Sequence, residues 1–103
     1  MNSLVEHKIN ELNKLCVKYR VRRLELFGSA ATEEQFDPQT SDLDFLIEFL
    51  PIHPGEYADA YFGLLESLNE MFDRPVDLVM IRAIKNPYFL EYINKNRILL
   101  YAA

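Results

Sequence analysis

The spacing of hydrophobic residues changes along the chain, and it indicates which segments form helices and which form strands. Apolar residues recur at helical spacing over residues 3–19, where Ser3 and Glu6 fit a capping box, and again over residues 56–72. Short apolar or alternating runs bounded by turn residues predict four strands. The predicted strands cover residues 21–27, 42–50, 76–81 and 98–101.

Two shorter helical segments complete the predicted elements. A helical turn is expected over residues 32–36, and Asn86 is a good N-cap for a helix that has Pro87 in its first turn and runs to Lys95. This succession predicts an α+β fold in which a small mixed β-sheet packs on helices. A chain of 103 residues suffices for one hydrophobic core, so we expect residues 1–103 to form a single domain.

The predicted strand 42–50 carries two aspartates on one face. Residues i and i+2 of a strand project to the same side, roughly 6–7 Å apart, so Asp42 and Asp44 lie side by side while Leu43 and Phe45 face the core. Carboxylates this close repel each other unless a cation lies between them. Magnesium binds carboxylate oxygens and in turn holds phosphate oxygens. The pair therefore indicates a phosphoryl-transfer site.

The strand 21–27 ends in a Gly-Ser pair that suits a phosphate group. Gly28 allows the backbone to approach a ligand closely, and the amides that follow Ser29 at the start of a helix attract an anion. If this strand lies beside the strand 42–50, phosphate ligands and metal ligands become neighbours. A third aspartate, Asp77, lies in the predicted strand 76–81.

The order Gly-Ser, spacer, Asp-x-Asp and a later strand aspartate resembles the DNA polymerase β-like nucleotidyltransferases, specifically the minimal nucleotidyltransferases (MNT) of bacteria and archaea. The resemblance covers nearly the whole chain and implies the polymerase β-like fold. It implies that Asp42 and Asp44 bridge two Mg²⁺ ions, and that Asp77 binds one of these ions and helps to deprotonate the attacking hydroxyl. It also implies that Gly28 and Ser29 bind the nucleotide.

The same resemblance implies a reaction and a partner. The reaction is transfer of AMP from ATP to a hydroxyl, and the acceptor is a tyrosine of a small helical HEPN-type toxin that the chain restrains as an antitoxin. Two alternatives stay open from the sequence. The chain could be a non-catalytic antitoxin that neutralises its partner by contact, or a nucleotidyltransferase that acts on a small molecule.

The segment between the two motifs departs from the family pattern. Twelve residues (30–41) separate Ser29 from Asp42, which is longer than usual in the minimal group. Family members commonly have Ala-Arg-Gly after the Gly-Ser pair, whereas this chain continues with two alanines, a threonine and the acidic Glu33 and Glu34. An arginine could contact phosphates and these glutamates would repel them. Arg82 and Lys85 could supply the missing positive charge, although solvated loop charges explain them more simply.

Charge and composition narrow the class of partner. Sixteen acidic and eleven basic residues give a net charge of −5, which disfavours direct binding of nucleic acid and suits a more basic protein. Ala58, Phe62 and Met71 widen the apolar arc of the helix 56–72, which predicts either a broad core contact or a partner surface. A homo-oligomer also stays open from the sequence.

Cysteine usage and hydropathy bear on the compartment. Cys16 is the single cysteine and cannot form an internal disulfide, which agrees with a reducing cytoplasm; we expect it to be a small buried hydrophobe. No apolar signal region follows Met1 and no apolar run approaches transmembrane length. We therefore predict a cytoplasmic protein that does not associate with a membrane.

Overall fold

The computed structural model describes residues 2–103 and has the α+β architecture that the hydrophobic pattern predicts. In chain order, its helices and strands are α1 (Ser3–His7), α2 (Ile9–Lys18), β1 (Val21–Phe27), α3 (Ser29–Thr32), β2 (Leu43–Phe49), α4 (Tyr57–Phe72), β3 (Val76–Met80), α5 (Pro87–Lys95) and β4 (Ile98–Ala102). Single 3-10 turns, Pro54–Glu56 and Ile81–Ala83, precede α4 and follow β3.

The strands form one mixed sheet in the order β3-β2-β1-β4. β1 is antiparallel to both β2 and β4, whereas β2 and β3 are parallel. Parallel neighbours cannot be joined by a tight hairpin, and here α4 supplies the crossover between them. This topology places the first residues of β2 beside the first residues of β3.

Alternate residues of β2 enter two different hydrophobic clusters. Leu43, Phe45 and Ile47 are buried in the main core, which α1, α2 and α4 cover with Val5, Leu12, Cys16, Leu64 and Leu68. On the opposite face, Leu46 packs with Phe27 and with Ile93 of α5 in a smaller cluster. The sheet therefore has a packed face and an open face, and α5 covers part of the open face.

The N-terminal helix differs from the predicted one in its cap and its continuity. The helical hydrogen-bond pattern is interrupted at Lys8, whose φ of −109° and ψ of 11° are not helical, so α1 and α2 are separate. Asn2 is the N-cap and Ser3 is not, because the Asn2 side chain accepts a hydrogen bond from the Leu4 amide at 3.0 Å. The Asn2 amide also donates to the Ala30 carbonyl, which ties the N-terminus to α3.

The helical turn predicted over residues 32–36 is wrong in position. The helix begins at Ser29, directly after Gly28, and ends at Thr32 because Glu33 adopts a left-handed conformation with a φ of 61°. Phe36 lies outside it, half-buried against the main core. The remaining strands and helices match the predicted bounds to within one residue.

Two further observations concern Cys16 and membrane association. Cys16 is fully buried, and burial raises the pKa of its thiol to about 12, so it behaves as a hydrophobic side chain as predicted. Across residues 2–103, no helix combines the length and the apolar character needed to cross a membrane.

Candidate active site

Asp44 and Asp77 are direct neighbours across the parallel strands β2 and β3. Asp44 is half-buried and Asp77 is exposed, and both project from the open face. Asp42 is exposed and lies just before β2. The sheet topology thus brings two of the predicted metal ligands together on adjacent strands, with the third at the same end of the sheet.

Hydrogen bonds from the turn before β3 hold the segment that carries Asp42. The Leu43 amide donates to the Pro75 carbonyl at 3.3 Å. The Arg74 guanidinium donates to the carbonyls of Ser41, at 3.0 Å, and Pro38. Arg74 therefore fixes the end of the long spacer against β3, a role that the sequence did not reveal because its partners are backbone carbonyls more than thirty residues away.

Among residues 2–103, no basic side chain forms an ion pair with Asp44. Burial first, and then the nearby carboxylates of Asp77 and Asp42, together raise the pKa of Asp44 to about 6. Within residues 2–103, the ion pairs involve Glu25 and Glu48 and none of these aspartates. The site therefore favours a cation that comes from outside the chain.

Gly28 brings the backbone of β1 against Asp44. Its φ of 72° is a conformation that side chains rarely adopt, and a Cβ atom there would overlap the Oδ2 atom of Asp44. Phe27, the preceding residue, is the cross-strand partner of Asp44. The predicted adjacency of the Gly-Ser pair and the aspartates is thus present, with Ser29 opening α3 next to Gly28.

The three aspartates are not arranged as a complete set of metal ligands. Among residues 2–103, no group of three or more His, Cys, Asp or Glu side chains has a metal-ligating arrangement. Asp77 and Asp42 both raise the pKa of Asp44 through their negative charge, and Asp77 is the stronger of the two. The donor chemistry nevertheless fits a divalent cation, because hard cations prefer carboxylate oxygens and this cluster has no positive partner of its own.

Neither basic residue that the sequence offered for phosphate binding contacts the aspartates: Arg82 lies far from them and Lys85 is exposed to solvent. Arg82 lines a small cavity with Glu48, at the opposite ends of β2 and β3 from Asp44 and Asp77. Lys85 is exposed after the 3-10 turn that follows β3. Arg82 therefore does not replace the missing arginine after the Gly-Ser pair.

A second charged group on the open face was missed by sequence reasoning. Glu25 of β1 is 4% exposed and accepts two hydrogen bonds from Arg97, at 2.7 and 2.6 Å, and one from Arg23 at 2.8 Å. These guanidinium groups, Arg97 first, hold the pKa of Glu25 below its ordinary value. The only signal was a glutamate inside an apolar strand, since Arg97 is 72 residues distant.

A strand that ends in Gly-Ser, beside parallel strands that present paired aspartates, defines the nucleotidyltransferase class of site and fold. The family model of the nucleotidyltransferase domain matches residues 9–100. The chain therefore belongs to the nucleotidyltransferase domain family, and it is a nucleotidyltransferase.

Individual relatives agree with this assignment. Putative protein adenylyltransferase MJ0128 of Methanocaldococcus jannaschii is 38% identical over 81 residues, which cover 79% of this chain and 78% of the relative. A solved structure described as a putative minimal nucleotidyltransferase superposes with a TM-score of 0.70 at 26% identity, covering 91% of this chain and 90% of that one. The predicted resemblance to minimal nucleotidyltransferases is confirmed.

A third similarity is to the structure of a complex that contains an antitoxin. The structure of a tri-AMPylated HEPN toxin of Shewanella oneidensis in complex with an MNT antitoxin superposes with a TM-score of 0.63. The identity is 19%, and the match covers 95% of this chain and 72% of that chain. At that identity the similarity shows a shared fold.

Proposed function

We propose that this protein transfers AMP from ATP to a tyrosine hydroxyl of a small helical HEPN-type protein in the cytoplasm and thereby acts as an antitoxin. The observation that carries the proposal is the strand register that pairs Asp44 with Asp77 beside Gly28. The name of the archaeal relative supports a protein acceptor, and the fold shared with an MNT antitoxin supports the kind of partner.

Each site residue has a role that its position suits. Asp42, Asp44 and Asp77 would hold two Mg²⁺ ions, which neutralise phosphate charge and stabilise the attacking and leaving oxygens when bound. The Gly28 and Ser29 backbone, close to Asp44, would receive the phosphates. Asp77 is exposed, so an acceptor hydroxyl can reach its carboxylate and pass its proton there.

The proposed reaction balances within these groups. The tyrosine oxygen forms a bond to the α-phosphorus of ATP, and the bond from that phosphorus to the bridging oxygen breaks. Pyrophosphate leaves with the bonding electrons, and the tyrosine proton goes to the Asp77 carboxylate. No residue of the chain forms a covalent intermediate in this scheme.

The surface of the chain suits a partner that completes the site. The net charge of −5 favours a more basic protein. Phe62 of α4 is 64% exposed, which agrees with the predicted apolar excess on this helix and makes it a candidate contact. Because Asp42 and Asp77 are exposed, we expect the acceptor itself to enclose the reacting groups.

The test is the intact mass of the partner. The product of the neighbouring gene is incubated with this protein, ATP and Mg²⁺, and mass spectrometry is expected to show addition of adenylyl groups to a tyrosine. The Asp42→Asn/Asp44→Asn double variant should add none, whereas Glu48→Gln, a charge change on the same face of β2, should act like the wild type. An unmodified partner with the wild-type protein would overturn the proposal.

A second candidate is neutralisation by contact without transfer. Glu33 and Glu34 favour it, because both are exposed directly after α3 and add negative charge near the Gly-Ser pair. Co-expression separates the candidates. If catalysis protects cells from the toxin, the Asp42→Asn/Asp44→Asn variant fails to protect them; if binding suffices, the variant protects fully.

A further inference from the structure

We propose that Phe89 and Tyr92 of α5 form the surface on which the base of the nucleoside triphosphate stacks. This inference rests on the proposed function, because it assigns the nucleoside end of the same substrate. It names two residues that the site motif does not contain.

The two aromatic residues are continuous with the site. Phe27, the last residue of β1, is buried, precedes Gly28 and is the cross-strand partner of Asp44. The Phe89 ring meets the Phe27 ring edge to face, with centroids 6.2 Å apart. A single side chain, that of Phe27, therefore separates the Phe89 ring from Asp44.

Both rings have surface available to a ligand. Phe89 is 39% exposed and Tyr92 is 54% exposed. Their ring planes are nearly parallel, at 13°, with centroids 6.4 Å apart. Residues i and i+3 are neighbours on a helix, so the two rings form one patch on the side of α5 that contacts Phe27.

The patch belongs to a helix that is anchored at both ends. The Asn86 side chain caps the start of α5 by accepting from the amides of Tyr88 and Phe89. Ile93 is buried against the sheet, and Arg97, just after the helix, is held by Glu25 of β1. Exposed aromatic residues on so fixed an element are pre-organised for a ligand.

Strand order indicates which substrate lies on this patch. Asp44 is in β2, with Asp77 on one side in β3 and Phe27 on the other side in β1. An acceptor hydroxyl that delivers its proton to Asp77 approaches from the β3 side. The nucleoside then occupies the β1 side, where Phe89 packs on Phe27. Bases stack readily on aromatic rings, and such contacts contribute to affinity without selecting strongly among bases.

The experiment compares a ligand that has a base with one that lacks it. Titration calorimetry with Mg²⁺ measures ATP and inorganic tripolyphosphate binding to the wild type and to Phe89→Leu, Tyr92→Leu and the double variant. Leucine keeps an apolar contact but has no ring face. We expect the double variant to bind ATP roughly tenfold or more weakly and to keep its affinity for tripolyphosphate. Val17→Ala, which removes exposed apolar surface from α2, should alter neither affinity.

A conservative replacement and a fold control complete the test. Phe89→Trp retains a flat ring and should restore or strengthen ATP binding relative to Phe89→Leu. Melting temperatures check that α5 stays folded. Because no aromatic contact joins Tyr92 to Phe27, Tyr92→Leu carries the test if Phe89→Leu unfolds.

Three outcomes would overturn this inference without affecting the proposed function. These are equal loss of ATP and tripolyphosphate in a folded variant, unchanged affinity for both, and unchanged ATP affinity with slower modification of the protein acceptor. The last outcome would assign the patch to the acceptor. A wild-type protein that binds neither ATP nor tripolyphosphate would overturn the proposed function, and this inference with it.

Discussion

The two faces of the sheet are built from alternate residues of the same strands, and β2 shows how far they diverge. Leu43 and Phe45 are fully buried in a core that α1, α2 and α4 close. Asp44, which lies between them in sequence, emerges on the opposite face, where Ile93 of α5 is the only buried helical side chain among residues 2–103. One face therefore carries most of the apolar burial, while the other carries the charged groups.

The difference has an energetic meaning. Burial and two neighbouring carboxylates make ionised Asp44 unfavourable in the folded chain, as its raised pKa shows. Such a group persists where the rest of the fold supplies enough stability and where a ligand can offset its cost. The packed face supplies the stability here, and the open face leaves the aspartates accessible to a ligand.

The largest stability effect is expected on the packed face. Phe45→Ala removes a fully buried ring that packs on Phe72 and should lower the free energy of unfolding by about 3–5 kcal/mol. Phe62→Ala, on the exposed side of α4, should change it by less than about 0.5 kcal/mol. Urea unfolding at pH 7 measures both. Equal losses would contradict the assignment of stability to the packed face.

The next largest effect should come from the tether between β1 and the end of α5. Glu25→Gln leaves Arg97 without its carboxylate and should cost about 2 kcal/mol at pH 7. Glu48→Gln, whose pair with Arg22 is 4.0 Å long and partly exposed, should cost less than about 0.5 kcal/mol.

The Glu25 effect should also depend on pH with a definite sign. The pKa of Glu25 is lower folded than unfolded, so its stabilising charge is fully present above the ordinary value of 4.5 and is lost as pH falls through the lowered pKa. The difference in the free energy of unfolding between Glu25→Gln and the wild type should therefore disappear at acidic pH. A gap that is constant with pH would mean that packing, and not charge, is lost.

A smaller effect of opposite sign is expected at Asp44. Its pKa is raised, so the folded state disfavours the charged form; the destabilisation is absent below about pH 4, grows with pH and is complete above about pH 6. Asp44→Asn should therefore raise the free energy of unfolding by about 1 kcal/mol at pH 7.5, and the gain should vanish toward pH 4. A variant that is less stable at pH 7.5 would show that Asp44 is structural.

The smallest effect concerns the helix of the open face. Asn86→Ala removes the side-chain cap of α5 and should cost about 0.5–1 kcal/mol. Asn10→Ala is the matched change at an exposed position within α2, where alanine favours the helix, and it should be neutral or slightly stabilising. Thermal unfolding distinguishes them, and equal melting temperatures would contradict the capping role.

Sequence periodicity predicts the packed face well because burial imposes it residue by residue. The alternation of residues 42–50 places Leu43 and Phe45 inward and Asp44 outward without reference to the rest of the fold, and Asn86 gives a local helix-start signal. These features depend on neighbours in sequence, which a single chain displays directly.

The features that sequence did not predict depend on distant partners or on backbone conformation. The Glu25–Arg97 pair and the Arg74 contacts join residues far apart in the chain. The position of α3 depends on Gly28, whose positive φ turns the chain directly into a helix, and on the left-handed Glu33 that ends it. None of these has a local period, so they required the three-dimensional structure.

Calorimetric titration of ATP with and without divalent metal tests directly whether the aspartates form a metal-dependent nucleotide site. We expect the wild type to bind ATP with Mg²⁺ and to lose this binding in excess chelator, because the uncompensated carboxylates repel the triphosphate. Asp42→Asn/Asp44→Asn should reduce the gain from Mg²⁺ by about tenfold or more. Equal ATP affinity of the wild type in Mg²⁺ and in chelator would contradict a metal-dependent nucleotidyltransferase site at these aspartates.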